Sequence, residues 1–426
     1  MSSTTRPETP PVTPSDVPAA IRAMKAKVRK SIDVVEAFEK ISDRIEAQVQ
    51  KLERLTAAGQ EIWPSITFDE LAADDTDGLR DEIHERGCLV VRQHFPRERA
   101  LEWDGNLVEY LEQNDFDRKY RGPGDNFFGS LGAEASRPQI LPIYWSSAQM
   151  EARQDPRMAT VQRFLNRLWQ FESQGQTWFD PDSDCMYADR IRRRPPGTDS
   201  GGLGAHTDSG SLERWLLPQY QEVFRHVFRG DVDDYDPWDA AHRPHVDEYE
   251  GGTTMCSMFR TFQGWTALSD MQQDQGVLHV VPIPEAMAYI LLRALQPDVP
   301  DDELCGVTPR QVLPVSERWH PLLMRALTPI PNLRAGDSVW WHCDVVHAVA
   351  PVQNQQGWGN VMYIPAAPDC EKNREYSAAM VQRFTSGESP ADFPDENYEC
   401  GWQGRFTVDD LNEIGRRGLG LEGASV

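Results

Sequence analysis

The sequence of 426 residues predicts a protein of the α+β class, because two different patterns of apolar residues divide it. Apolar residues recur at helical spacing between Val17 and Leu55, which predicts one long amphipathic helix or two helices with a break. From Tyr187 onward, short segments of strand-forming residues alternate with turn residues. This second pattern is typical of an antiparallel barrel or sandwich, so we expect the β core in the C-terminal half.

The region between the long helix and the β core mixes helices with short strands. The predicted elements are strands at 62–68 and 88–92 and helices at 77–86, 97–113 and 150–174. The helix at 77–86 is expected to end at Gly87, because glycine readily adopts the left-handed conformation of a C-cap. The stretch 120–144 is rich in Gly, Phe and Pro, and we expect it either to line a pocket or to form an ordinary loop.

Seven strands are predicted for the β core. They lie at 187–194, 203–206, 255–261, 264–270, 276–281, 338–342 and 360–364. Two insertions interrupt them, an acidic loop near 231–250 and a helical block at 285–327. No internal repeat is visible.

The bulk composition narrows the class of partner. A net charge of −24 at pH 7 argues against a general nucleic-acid binder, although local basic clusters still allow an anionic small substrate. No apolar run is long enough for a membrane span, and the first residues lack the apolar centre of a secretory signal. The seven cysteines form no Cys-x-x-Cys motif, which favours reduced thiols and a cytoplasmic location.

The pattern His-x-Asp occurs three times, at His206/Asp208, His245/Asp247 and His342/Asp344. Residues i and i+2 of a strand point to one face, so an imidazole and a carboxylate placed in this way can reach one metal ion. The pair at 245–247 lies in the acidic loop and predicts a solvated segment. The pair at 342–344 follows a predicted strand and remains a competitor, but a glycine-rich loop precedes the pair at 206–208, which we prefer.

We propose His206, Asp208 and His347 as three ligands of one metal ion. Two imidazoles and one carboxylate on one face of an iron leave positions open for substrates. A structural zinc site would have four protein ligands, usually with cysteine, and no fourth ligand is spaced to fit.

These segments resemble the iron(II)- and 2-oxoglutarate-dependent oxygenases. The stretch RIRRRPPGTDSGGLGAHTDSGS at 190–211 is similar to their first core strands, and the stretch from Gly336 to Val352 resembles the strand with their distal histidine. Segments 264–270 and 275–282 resemble the middle strands of the phytanoyl-type branch. The whole pattern, with 354–365, is similar to a microbial family known as the domain of unknown function DUF1479.

The resemblance implies a double-stranded β-helix, or jelly roll, with flanking helices and the two insertions. It also implies Fe(II), with 2-oxoglutarate and O2 as co-substrates, and release of succinate and CO2. Hydroxylation of a small molecule is the commonest outcome in that superfamily, and Asp208 argues against halogenation because halogenating relatives lack this carboxylate.

The expected chain organisation has four parts. They are a disordered leader at 1–15, the amphipathic helix at 16–58, one oxygenase-like domain at 60–410 with its barrel core at about 186–366, and a C-terminal tail at 411–426. The amphipathic helix either packs on its own domain, which is the preferred interpretation, or forms a contact between copies in a homo-oligomer.

One position departs from the superfamily. Its members usually carry an Arg or Lys shortly after the distal histidine, to pair with the C5 carboxylate of 2-oxoglutarate, but residues 348–364 contain neither. Arg192 and Arg194 share one strand face and are the preferred substitutes, followed by Arg260. Asn360 is a further candidate donor to that carboxylate.

Two other functions remain open at this point. The absent basic residue fits a catalytically silent oxygenase-like domain that binds a metabolite, although the intact ligand set argues against it. A cupin-type metalloenzyme that uses no 2-oxoglutarate is the other alternative, but cupin sites usually take more histidines from a tighter motif.

Overall fold

A computed structural model describes residues 11–121, 139–251 and 256–421 of the chain. Its helices are α1 (Val17–Ser31), α2 (Val34–Ala57), α3 (Phe68–Ala72), α4 (Leu79–Arg86), α5 (Arg97–Gln113), α6 (Phe116–Lys119), α7 (Ser147–Arg153), α8 (Pro156–Asn166), α9 (Glu213–Leu216), α10 (Pro218–Val223), α11 (Arg225–Arg229), α12 (Ala286–Arg293), α13 (Pro321–Met324), α14 (Glu371–Ser386) and α15 (Glu413–Gly418).

The strands are short, and together with the helices they give a mixed α+β fold. They are β1 (Ser65–Thr67), β2 (Cys88–Arg92), β3 (Ile140–Leu141), β4 (Glu172–Ser173), β5 (Gln176–Thr177), β6 (Asp180–Asp184), β7 (Ile191–Arg192), β8 (Leu203–Thr207), β9 (Phe262–Ala267), β10 (Leu278–Val280), β11 (Leu313–Pro314), β12 (Thr328–Pro329), β13 (Ser338–His342), β14 (His347–Val349), β15 (Val361–Tyr363) and β16 (Pro368–Asp369).

Two main sheets form the β core. The seven-stranded sheet has the order β1-β2-β13-β9-β15-β7-β3, and the five-stranded sheet has the order β11-β8-β14-β10-β12. All their strand pairs are antiparallel except β1 with β2. One apolar cluster joins Trp265 and Trp341 of the larger sheet to Leu278 and Val280 of the smaller one, so the sheets pack face to face.

Of the two expected arrangements, barrel or sandwich, the core forms a sandwich, and it includes strands from outside the predicted core. Within the described residues the two sheets remain separate, because no strand of one pairs with a strand of the other. The larger sheet also recruits β1, β2 and β3, which all precede the predicted core at 186–366. Strand β2 is inserted next to β13 because its run Cys88–Val91 is apolar and buried on both faces.

The predicted N-terminal helix is two helices, α1 and α2, separated at Ile32 and Asp33. The side chain of Asp33 accepts hydrogen bonds from the first turn of α2 and so starts a new helix. Ile41 and Ile45 of α2 are fully buried in the same cluster as α12 of this chain. The apolar stripe of α2 therefore packs on its own protein.

Most core strands lie where the sequence predicts them, and β2 and β13 have the predicted bounds. The strand at 255–261 is wrong, because 256–261 is irregular and Met255 lies outside the described residues. Side chains hold this segment instead: Asp392 accepts hydrogen bonds from the backbone and hydroxyl of Ser257, and Asn373 accepts one from the backbone of Phe259. These bonds replace a strand ladder.

Other predictions are narrowed or lie outside the described residues. The helical block at 285–327 contains only α12 and α13, and the remainder is loop and the short strand β11. Residues 122–138 of the aromatic stretch, 1–10 of the leader and 422–426 of the tail are not described. No helix in the described part of the chain is long and apolar enough to cross a bilayer.

Candidate metal centre

A cavity of about 190 Å³ lies between the two main sheets. Leu278 of β10 and Val349 of β14 line it from the smaller sheet, and Trp265 of β9 and Trp341 of β13 line it from the larger one. The cavity therefore lies in the core, and apolar side chains from both sheets form part of its wall.

His206 on β8 and His347 on β14 are register partners in the smaller sheet. Directly opposite residues of an antiparallel pair project from the same face, and the two imidazole centroids lie 4.2 Å apart. Asp208 follows the last residue of β8 and points to the same side, as the i, i+2 spacing predicts. The structure thus brings the three predicted ligands together at the cavity wall.

Gly202 allows β8 to approach β14 this closely. Its φ is +74°, and a Cβ at this position would collide with the backbone carbonyl oxygen of Val349. Only glycine combines this left-handed conformation with such a close backbone approach. The glycine-rich loop therefore positions the strand that carries His206, which is a more specific task than freeing space around a ligand.

The three side chains converge on one point. Asp208 Oδ1 lies 3.6 Å from His206 Nε2, and Asp208 Oδ2 lies 3.4 Å from His347 Nε2. One potential ligand atom from each residue lies within 4.8 Å of the other two. These separations fit three donors on one face of a metal ion with bonds of about 2.0–2.2 Å.

The backbone fixes the direction of both imidazoles. His206 Nδ1 lies 2.7 Å from the carbonyl oxygen of Gly204, and His347 Nδ1 lies 3.3 Å from that of Val345. A carbonyl accepts only from a protonated Nδ1, so the Nε2 lone pair of a neutral ring is left for a metal ion. The donor set and its orientation therefore fit a divalent iron.

Electrostatics keeps this donor set in the ligating form. Burial, with a smaller contribution from the neighbouring His347, lowers the pKa of His206 to about 4. Burial opposes ionisation of Asp208, but its interactions with His347, His206 and Arg260 hold its pKa well below the usual value. At neutral pH His206 is neutral and Asp208 is an anion, as metal binding requires.

The competing group His342, Cys343 and Asp344 is equally compact but has different partners. His342 Nε2 lies 3.1 Å from the carbonyl oxygen of Pro237, and its Nδ1 accepts a hydrogen bond from the backbone of Asp344. Asp344 forms buried ion pairs of 2.9 Å with Arg214 and 2.7 Å with Arg243. The carboxylate of Asp344 and both ring nitrogens of His342 are occupied, so this group has a structural role.

The third His-x-Asp pair, His245/Asp247, is held by contacts outside the cavity. Asp247 pairs with Lys372 at 3.3 Å, and the ring of His245 packs against Trp178 at 5.3 Å between centroids. The segment is not the solvated loop predicted, because Arg243 and Pro244 are buried and neighbouring side chains are only partly exposed.

Arg192 and Arg194 both line the cavity, as their shared strand face predicts. Arg192 donates to the carbonyl of Gly359 at 3.2 Å, and Arg194 donates to those of Gln275 and Gly276 at 2.9 and 2.7 Å. Neither forms an ion pair with a carboxylate of the described residues, and Arg194 Nε has no hydrogen-bond partner there. Burial and the neighbouring Arg192 lower the pKa of Arg194 to about 9.

The two remaining predicted residues have different positions. Arg260 lines the cavity and donates to the hydroxyl of Ser209 at 3.0 Å. Asn360 does not line it, because its side-chain amide donates to Asp104 at 3.1 Å. Asp104 also pairs with Arg193 at 3.1 Å, so Asn360 belongs to a polar cluster outside the cavity, and the structure does not place it with the other predicted co-substrate residues.

Sequence reasoning missed an acid in the cavity wall. Asp392 accepts hydrogen bonds from the hydroxyl of Tyr187 at 2.9 Å and from Ser257, and Tyr187 and Asp392 both line the cavity. Asp392 follows α14, far beyond the core strands. Its spacing carries no motif, so only the tertiary structure reveals its position.

A family model described as Gig2-like matches residues 15–421. The chain belongs to the Gig2-like family. This confirms the DUF1479 part of the resemblance, since a crystal structure of GlcNAc Inducible Gene 2, GIG2 (DUF1479), from Candida albicans is similar to this chain. The two are 26% identical with a TM-score of 0.80, over 98% of this chain and 92% of that one.

Two bacterial relatives of this Gig2-like protein are much more similar in sequence. The uncharacterized protein YbiU of Escherichia coli (strain K12) is 61% identical over 412 residues, which are 96% of this chain and 97% of YbiU. The crystal structure of a proposed oxidoreductase from Salmonella typhimurium LT2 is 62% identical with a TM-score of 0.92. The match covers 96% of this chain and 98% of the Salmonella chain.

Proposed function

We propose that this Gig2-like protein is a non-haem Fe(II)- and 2-oxoglutarate-dependent oxygenase that hydroxylates a small molecule. The observation that carries the proposal is the open set of His206, Asp208 and His347 at the wall of a cavity that also presents two arginines without an ion pair among the described residues. A metal with three ligands on one face and a nearby anion-binding position is what a chelating dicarboxylate co-substrate requires.

The fold supports this interpretation. Two antiparallel sheets face each other across the cavity, and the histidines lie on adjacent strands of the smaller one. We interpret this arrangement as a double-stranded β-helix that β1 and β2 extend at one edge and β3 at the other. The oxidoreductase proposed for the Salmonella relative points to the same general class of reaction.

Each wall of the cavity has a distinct task in this proposal. His206, Asp208 and His347 would hold the iron, which with bound 2-oxoglutarate supplies O2 activation and releases succinate and CO2. Arg192 and Arg194 attract the distal carboxylate of the co-substrate and so set its direction. Trp265 and Trp341 keep the wall apolar, which strengthens these ionic contacts by excluding water.

The direct test is anaerobic addition of Fe(II) and 2-oxoglutarate to the full chain. We expect the visible metal-to-ligand charge-transfer band, and on admission of O2 a slow formation of succinate without added substrate. His347→Ala should abolish both signals. His279→Ala is the matched control, since His279 is on the adjacent strand β10 but does not line the cavity.

The outcomes separate the proposed function from its alternatives. Iron bound without the band would exclude 2-oxoglutarate as co-substrate and favour a cupin-type metalloenzyme. The band without succinate would favour a silent domain that binds the metabolite. Succinate that survives His347→Ala would refute the ligand assignment.

A further inference from the structure

Arg260 is a third arginine of the cavity wall without an ion pair in the described residues, and it is partly buried. It lies in the irregular segment before β9 and is 3.0 Å from the hydroxyl of Ser209, which follows Asp208. Its guanidinium lies 5.7 Å from the ring centroid of Tyr187. Arg260 is thus a partly buried cation placed beside the metal ligands.

Arg260 and the pair Arg192/Arg194 occupy separate positions. Arg192 and Arg194 bind carbonyl oxygens of Gly359, Gln275 and Gly276, in the turns before β15 and β10. Arg260 instead reaches the turn after β8 and faces Tyr187. The two groups share no hydrogen-bond partner, so one dicarboxylate need not occupy both.

The acids near Arg260 are already partnered. Asp189 pairs with Arg190 at 3.4 Å and accepts a hydrogen bond from the backbone of Arg190. Asp392 accepts from the hydroxyl of Tyr187 and from both donors of Ser257. Asp208 would share its charge with the metal. Arg260 therefore has no carboxylate within ion-pair distance among the described residues, and a carboxylate that enters the cavity would form charge-assisted hydrogen bonds with its guanidinium.

We propose that Arg260 binds a carboxylate of the primary substrate, so that the molecule oxidised is a small organic acid. This inference rests on the proposed function, in which Arg192 and Arg194 are occupied by 2-oxoglutarate. A carboxylate on Arg260 holds the adjoining carbon atoms beside the metal ligands while Tyr187 provides an aromatic wall. The overall charge of −24 does not oppose this, because the arginines set the local field.

The test uses the full chain, loaded anaerobically with Fe(II) and saturating 2-oxoglutarate in a buffer without carboxylates. Butyrate is the probe and butyramide its neutral isostere, with binding followed by calorimetry and by perturbation of the charge-transfer band. We expect wild type to prefer butyrate over butyramide by at least about 10-fold, as a charge-assisted hydrogen bond predicts. Arg260→Gln should remove this preference while 2-oxoglutarate still binds.

Arg260→Lys keeps the charge and should retain a weaker preference for butyrate over butyramide. This variant tests the proposal if Arg260→Gln does not fold. Wild type without 2-oxoglutarate binding would refute the proposed function itself. Wild type that binds 2-oxoglutarate but shows no preference for butyrate would overturn only the inference about Arg260. A loss of 2-oxoglutarate binding in Arg260→Gln as large as in Arg194→Gln would assign Arg260 to the co-substrate and overturn it equally.

Discussion

The groups at 206/208/347 and at 342–344 contain similar metal-binding side chains, yet their surroundings give them opposite tasks. Both are buried and compact. In the second group, Arg214 and Arg243 neutralise Asp344, and both nitrogens of His342 are occupied. In the first group, hydrogen bonds within the described part of the chain occupy the Nδ1 atoms, and the Nε2 atoms face one carboxylate. The candidate metal centre therefore differs from the structural ion-pair cluster in having unoccupied ligand atoms, more than in its residue types.

The largest expected difference between the two groups is in turnover. Asp208→Ala should lower 2-oxoglutarate-dependent succinate formation by at least about 100-fold, because the metal loses its anionic ligand. Asp344→Ala should retain turnover in the fraction that folds. Succinate measured per folded chain checks this, and equal losses in the two variants would remove the distinction between the groups.

The second difference is in stability. Asp344→Ala leaves Arg214 and Arg243 buried without their shared counter-ion and should lower the free energy of unfolding by about 3–5 kcal/mol. The control Asp233→Ala breaks the exposed pair with Arg44 and should change it by less than about 1 kcal/mol. Urea unfolding of the metal-free proteins measures both, and a small effect of Asp344→Ala would contradict a structural role.

A third prediction concerns the arginines around the open group. Arg194→Gln should raise the Kd for 2-oxoglutarate by at least about 10-fold, because the carboxylate loses a buried charged donor. Arg193→Gln is the neighbouring control, since Arg193 pairs with Asp104 and does not line the cavity. Titration of the Fe(II)-loaded protein measures both values. An unchanged Kd in Arg194→Gln would transfer the anchoring role to Arg192 or Arg260.

The smallest predicted effect is a pH dependence of the structural group. Burial lowers the pKa of His342 to about 3 in the fold. As pH falls, His342 therefore becomes protonated in the unfolded chain before it does in the folded protein. The free energy of unfolding decreases below about pH 6.5 by up to about 1.4 kcal/mol per pH unit. Between about pH 5.5 and 4, His342→Gln should remove the part of this slope that comes from nearly one proton, which is about 1.4 kcal/mol per pH unit. Urea unfolding at several pH values checks it, and an unchanged slope would contradict the buried neutral state.

Local sequence patterns predicted much of this architecture. Strands β2 and β13 have the expected bounds because their apolar runs are buried on both faces. The i, i+2 spacing at His206 and the shared face of Arg192 and Arg194 also place side chains where strand geometry requires. These features depend only on neighbours in the chain.

The features that sequence could not supply depend on distant partners. Arg214 and Arg243 neutralise Asp344 from about 130 and 100 positions away, and the sequence does not reveal that contact. Asp392 reaches the cavity from beyond α14, and Asn360 is drawn away from it by Asp104. The segment 256–261 leaves the strand state because side chains from the C-terminal region bind its backbone.

The central claim is that the metal belongs to the open group and to no other. Anaerobic equilibrium dialysis against Fe(II) tests this directly with wild type, Asp208→Ala and Asp344→Ala, each checked for folding. The account predicts about one tightly bound iron per folded chain in wild type and in Asp344→Ala, and none in Asp208→Ala. Iron retained by Asp208→Ala and lost from Asp344→Ala would contradict it.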